Sequence, residues 1–232
     1  PQDFQLIPRD LQSNLAAVRI SGFLTTSGQQ ELVGRLFEGE SEATDAGLCS
    51  GSSNPESTER VSLAYDQDGD APFDITLALP AKLSNFQLEV CISDGATELL
   101  AAQVADLVAG DVYLIQGQSN ANAFRRAGSD SASINEDQFI RSFGRRVTSF
   151  NRLDTDNNGF NDDIDELVRD TEWHPAKADA SQASGAVGQW GIRLGRQLID
   201  GTGIPVAILN NAVSGTTIAQ HQRDDTNPER VD

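Results

Sequence analysis

The chain has 232 residues, with 17 Lys and Arg against 35 Asp and Glu and a formal net charge of −18. Such a surface repels phosphate backbones and argues against nucleic-acid binding, and no apolar run is long enough to span a membrane as a helix. The length suits one large or two modest domains, and a chain that opens at Pro1 without Met reads as processed or trimmed.

Residues from about 15 to 105 read as β structure. Strands are expected at Ala16–Leu24, Glu31–Glu38, Arg60–Tyr65, Phe73–Leu79 and Phe86–Ile92. Several alternate in hydrophobicity, as in Gln87-Leu88-Glu89-Val90, which suits sheets with one wet face. Turn-rich segments separate them, the longest being the loop-like Ser41–Glu59, and the spacing suggests a small β-sandwich of accessory role. Two cysteines, Cys49 and Cys91, fall in this half. A disulfide is favoured over free thiols because Cys49 sits in a Gly- and Ser-rich loop that would otherwise expose it. A disulfide in an acidic protein suits a secreted, periplasmic or cell-surface location.

Val104–Gly110 leads into the next apolar run, so the expected boundary lies near residue 107, with domains at 1–107 and 108–232. Asp111-Val112-Tyr113-Leu114-Ile115 reads as a buried strand that stops at Gly117, followed by Gln118-Ser119-Asn120. A serine at the carboxyl end of such a strand presents its hydroxyl where open α/β sheets bind ligands. The bland alternative is a strand ending in a polar turn. Ala121–Asp137 reads as loop with a helical turn, and Phe139–Val147 as a second core strand whose arginines mark an exposed face or end.

Residues 154–165 follow calcium-loop spacing. Asp154, Asp156, Asn158, Asp162 and Asp165 supply oxygen at the first, third, fifth, ninth and twelfth positions. Gly159 permits the bend at the sixth, and Phe160 offers its carbonyl. Asp165 replaces the usual Glu, and no amphipathic helix precedes the loop. The expectation is therefore an isolated, structural Ca2+ loop, the alternative being an acidic surface turn. From Ser184 a helical pattern takes over, with Val187, Trp190, Leu194 and Leu198 at three- and four-residue steps before Gly201 and Gly203. Ile204–Leu209 reads as a further buried strand running into Asn210–Thr217, which completes a βαβ order and brings the Ser214–Thr217 turn to the sheet edge of Ser119.

These motifs resemble the sialate O-acetylesterase-like carbohydrate esterases of the SGNH hydrolase superfamily. Gly110-Asp111-Val112, Gly117–Asn120, Ser184–Gly188, Pro205-Val206 and Ser214-Gly215-Thr216 are similar to that family's blocks and occur in the same order. The resemblance implies an N-terminal β-sandwich followed by a three-layer α/β/α domain, here incomplete at the C-terminus. It implies a serine esterase that removes O-acetyl groups from sialate or plant or algal polysaccharide through an acyl-enzyme on Ser119. Oxyanion and binding groups would come from Gln118, Asn120, Asn211, Ser214, Gly215, Thr216 and a second-block glycine, Gly144 or Gly185. Asn120 alternatively braces the turn.

The family's C-terminal Asp-x-x-His or Asp-x-His has no counterpart. His174 and His221 are the histidines, and each reads as a surface or loop residue. The catalytic Asp and His are therefore expected outside this chain, either because it is a fragment or because a second polypeptide supplies them. The competing class is a non-catalytic, calcium-stabilised carbohydrate-binding or cell-surface module.

Overall fold

The structure is a computed structural model that describes residues 1–39, 47–50, 54–123, 125, 129–144, 170–178 and 184–218. The expected calcium loop at 154–165 and His221 lie outside these residues. Overall the described chain is mixed α/β, with much sheet and few helices. Its contacts divide it into two units, Pro1–Asp111 and Val112–Asp232.

In the first unit β1 (Leu6–Pro8), β2 (Leu15–Leu24), β3 (Glu31–Glu38), β4 (Ser57–Ser62), β5 (Ala71–Pro80) and β6 (Phe86–Ser93) precede the long β7 (Glu98–Ile115). The order β4-β3-β6-β7 is antiparallel throughout, while β2 and β5 form a separate antiparallel ribbon. Strict alternation on β5 buries Ile75, Leu77 and Leu79 and turns the residues between them outward. That apolar face lies against β3 at Gly34, where a Cβ would stand 2.7 Å from Ile75 Cδ1 and 3.0 Å from Leu77 Cδ1. The missing side chain lets the two layers approach. β1 runs parallel to Val108–Gly110, and its end is clamped by Arg9, whose Nε and Nη2 donate to Asp111 at 2.8 and 2.9 Å. Asp111 of the Gly110-Asp111-Val112 run is thus a fork-to-fork partner in the packing of this unit.

The face of β6 expected to be wet is buried, with Gln87 at 5 % and Glu89 at 2 % exposure. Glu89 and Cys91 share that face, two residues apart. Cys49 is disulfide-bonded to Cys91 with Cα atoms 6.2 Å apart, and Ser50 donates its N–H and Oγ–H to Glu89 Oε2 at 3.1 and 2.9 Å. Alternation reports polarity, and this polar face is roofed by a loop that satisfies it.

In the second unit the order is β7-β10-β8-β9, with β8 at Ile140–Phe143, β9 at Trp173–Pro175 and β10 at Val206–Asn210. Helix α1 (Ser119–Asn122) follows β7, a 3-10 turn covers Ala132–Asn135, and helix α2 spans Gln189–Thr202. β8 and β10 are parallel, Ile140 opposite Val206, and α2 lies between them in sequence, as the βαβ pattern requires. Gly195 of α2 sits on the sheet so closely that a Cβ would be 2.8 Å from Ile140 Cγ2. Ile115, Ile140, Val187, Ile192, Ile199, Val206 and Ile208 form the core. The arginines of 139–147 do not all mark an exposed face: Arg141 is 1 % exposed, and, as a buried cation must, it has an interaction partner.

Candidate functional site

Ser119 opens α1 directly after the β7 turn. Gly117 makes the turn with φ 152°, and a Cβ there would stand 2.8 Å from the Ala121 Cβ, so a side chain would collide with the first turn of α1. Gln118 is the extended cap residue, and its carbonyl accepts from Asn122 N–H at 3.0 Å. Gln118, Ser119 and Asn120 are exposed, whereas Asn122 is wholly buried. The N–H groups of a first helical turn have no intrahelical acceptor, so that of Ser119 is not used within α1. Ala123 ends the turn with φ 56°.

A second turn is tied to the first. Beyond β10, Asn211 N–H donates to Ile115 O and Val213 N–H to Gly117 O, both at 2.9 Å, so 211–213 runs alongside 115–117 in the same direction. Asn122 Nδ2 then donates to Ser214 Oγ at 2.9 Å, and Thr216 Oγ1 to Val213 O at 2.7 Å. Asn210 Nδ2 donates to Ala121 O and Val187 O at 3.2 and 2.8 Å, while its Oδ1 accepts from Ala212 N–H at 3.0 Å. Ser214 and Thr216 therefore belong to one hydrogen-bonded cluster that ties down the turn flanking Ser119 through Gly117, Gln118 and Asn122, with exposed Gly215 beside them. Asn211 enters through its backbone, with its residue exposed. Asn122 and Asn210, the two side chains that hold the cluster, were not anticipated.

A third segment gathers at β8 and β9. Gly144 N–H donates to Glu172 O at 2.8 Å, and Gly185 N–H to Gly144 O at 3.0 Å. Both second-block glycine candidates thus commit their N–H groups to carbonyls. Gly185 has φ 75°, and a Cβ there would lie 2.6 Å from Pro175 O, so its glycine character is demanded by packing against β9. His174 Nε2 lies 2.9 Å from both oxygens of Asp170. Burial raises the Asp170 pKa, but hydrogen bonds from Ser184, His174 and Glu172 N–H outweigh it and hold the carboxyl below its ordinary value. His174 lies on β9, the end of the described strand order and three strand spacings or about 14 Å from β7. Among the described residues no imidazole or carboxylate hydrogen-bonds the Ser119 hydroxyl.

Asp170, Glu172 and His174 each bring one donor atom within 4.8 Å of the others, a mixed carboxylate and imidazole set of the type transition metals take. Cys49, Glu89 and Cys91 also converge, but their sulfurs are spent in the disulfide.

No family profile and no curated protein matches this chain. Among solved structures it is similar to a carbohydrate acetylesterase from Xanthomonas citri, with 20% identity and a TM-score of 0.45. That likeness covers 94% of this chain, which spans only 40% of the length of the other.

Proposed function

We propose that the chain is a serine esterase that removes O-acetyl groups from acetylated sugars, with Ser119 as nucleophile. The observation that carries this reading is the joining of the Ser119 turn to the Ser214 turn by Asn122 Nδ2 and the paired backbones at 115–117 and 211–213. Two sequence blocks 95 residues apart (119 to 214) resemble parts of one esterase site, and the turns that carry them are hydrogen-bonded to each other.

In this mechanism the Ser119 oxygen attacks the acetyl carbonyl as a base takes its proton. The Ser119 N–H is one donor to the resulting oxyanion; donors from Gln118, Asn120 and the exposed edge of 214–216 complete the hole. Collapse expels the sugar hydroxyl, which regains a proton, and water then releases acetate from the acetyl-serine. The base belongs to residues beyond those described or to a second polypeptide. The first unit is read as a β-sandwich accessory domain, and the second as an α/β/α hydrolase domain carrying a structural Ca2+ at 154–165. The disulfide supports an oxidising compartment: secreted, periplasmic or cell-surface.

Ser119→Ala tests the assignment. Acetate release from an acetylated oligosaccharide should fall by about 10⁴-fold or more, the usual cost of deleting a nucleophile that acts in concert with its base. A fluorophosphonate should label native Ser119 and leave the variant unlabelled. The competing reading, a non-catalytic carbohydrate-binding module, is favoured by the unengaged Ser119 hydroxyl. It predicts no label and no acetate even when the polypeptide segment that would supply the base is present.

A further inference from the structure

We propose that a cavity beside α1 in the second unit is a subsite for a carboxylate-bearing sugar residue of the glycan. Naming its occupant as part of the substrate rests on the esterase reading of Ser119. The cavity measures about 420 Å³ and is lined chiefly by Arg125, Ser129, Asp130, Gln189, Trp190 and Arg193. That volume is near the lower end for small-ligand sites. Gln189 joins it to the Ser119 turn, since its backbone N–H donates to Ala123 O at 3.0 Å. A four-residue helix is about 6 Å long, so the subsite begins roughly one helical turn from the nucleophile.

The lining has the chemistry of an acidic sugar. Trp190 is 41 % exposed on the first turn of α2, an indole face open to the apolar C–H side of a sugar ring. Arg193 follows at i+3, on the same helix face. Among the described residues it has no ion pair or hydrogen bond, whereas Arg196, three residues further, is held by Asp137 and Asp200 at 2.6 and 2.9 Å. Arg125 donates its Nε to Ser129 O at 2.9 Å, which orients the guanidinium and leaves its terminal nitrogens for a ligand. Two guanidinium groups against the single carboxylate of Asp130 give the lining a local positive balance in a molecule of charge −18. Guanidinium groups recognise carboxylates through paired, charge-assisted bonds. The carboxylate of Asp130 offers acceptors for ring hydroxyls.

Gln189 forms the floor and is already satisfied. Its Oε1 accepts from Ala132 N–H and its Nε2 donates to Ala178 O, both at 2.7 Å. The wall that binds is therefore exposed and separable from the packing that holds the cavity open.

The test uses Ser119→Ala protein, so that binding is read without turnover, and a non-acetylated trigalacturonate against a neutral galactose trimer. Calorimetry should show the acidic trimer bound about tenfold or more tightly than the neutral one, a difference worth one good charged contact. Arg193→Gln and Arg125→Gln should each remove about tenfold of that preference, and Trp190→Ala should weaken both trimers. Arg196→Gln, the same charge change one turn along, is the control and should cost little. Equal binding of the two trimers, or equal losses from Arg193→Gln and Arg196→Gln, overturns the subsite. Acetate release by the native chain is scored separately. With the source of the catalytic base present in the assay, charge-selective binding without release sinks the esterase reading and keeps the subsite; release without charge preference does the reverse.

Discussion

Asn122 shows how much of the candidate site hangs on one buried amide. It is fully enclosed, and its Nδ2 donates to Ser214 Oγ across 92 positions of sequence. Asn122→Ala removes that donor from a site water does not reach and should destabilise the fold by about 1–3 kcal/mol in denaturant unfolding. Ser214→Ala should cost somewhat less, because Ser214 is only partly buried. If the pair acts as a unit, the double variant should fall short of additivity by about 1 kcal/mol. Full additivity would mean the two turns are held by their backbones alone. Neither role was legible in the sequence. The Asn210-Asn211 repeat announces a polar strand end but not which residue turns inward. Only the finished pairing decides that Asn210 reaches Ala121 O and Val187 O while Asn211 faces out. The place of Ser119 just beyond the end of β7 was legible, because a glycine-bounded strand end followed by small polar residues is a local pattern.

At the level of elements, strands with strong alternation were readable to within a few residues. β3 matches its expected range at both ends, and β5 and β6 extend theirs by two residues or fewer at any end. Weakly patterned strands were not foreseen. β9 has three residues, held to β8 by the register of Ser142 with His174 and by the edge-to-face contact of Phe143 with Trp173, 5.5 Å between centroids. No periodicity exists in so short a piece. β7 was named as a strand only at its end, Asp111–Ile115: Glu98, Gln103 and Asp106 interrupt its first half without clean alternation, and β6 supplies the pairing that extends it. The proposed calcium loop is an element-scale claim with its own test. Its oxygens at 154, 156, 158, 162 and 165 carry four carboxylates, which repel one another without a cation. Calcium at about a hundredfold over its Kd should therefore stabilise the fold by about 2.7 kcal/mol, visible as a rise in Tm that chelator reverses. Asp156→Ala should erase that response. A Tm indifferent to calcium and chelator in the native chain identifies an acidic surface turn instead.

On the scale of the whole molecule, charge sets two opposing pH dependences. With a net charge of −18 and a pI near 4.3, the folded chain repels itself at neutral pH, so partial neutralisation on acidification is stabilising at first. Particular carboxylates oppose this. Glu38 is held low chiefly by its bond from Lys82, and Asp94 by the N–H groups of Thr97 and Ala96. For Asp170, burial pushes upward but the bonds from Ser184 and His174 prevail. A group whose folded pKa lies below its unfolded value stabilises the fold above the unfolded value, about 4 for carboxylates, and loses that contribution as pH falls through the folded one. Stability should thus rise from pH 7 toward about 5 and fall steeply below about 4. Salt separates the two limbs. At about 0.5 M the Debye length shrinks to a few ångströms, which suppresses long-range repulsion and flattens the rise, while hydrogen bonds at contact distance survive and the acid limb remains. Thermal melts across pH at low and high salt check this. Asp170→Asn should lower Tm at pH 7, and its effect should shrink as pH falls through the lowered folded pKa, below which the native residue is itself uncharged. A rise toward pH 5 that persists unchanged in high salt would show that local contacts, rather than net charge, govern the neutral limb.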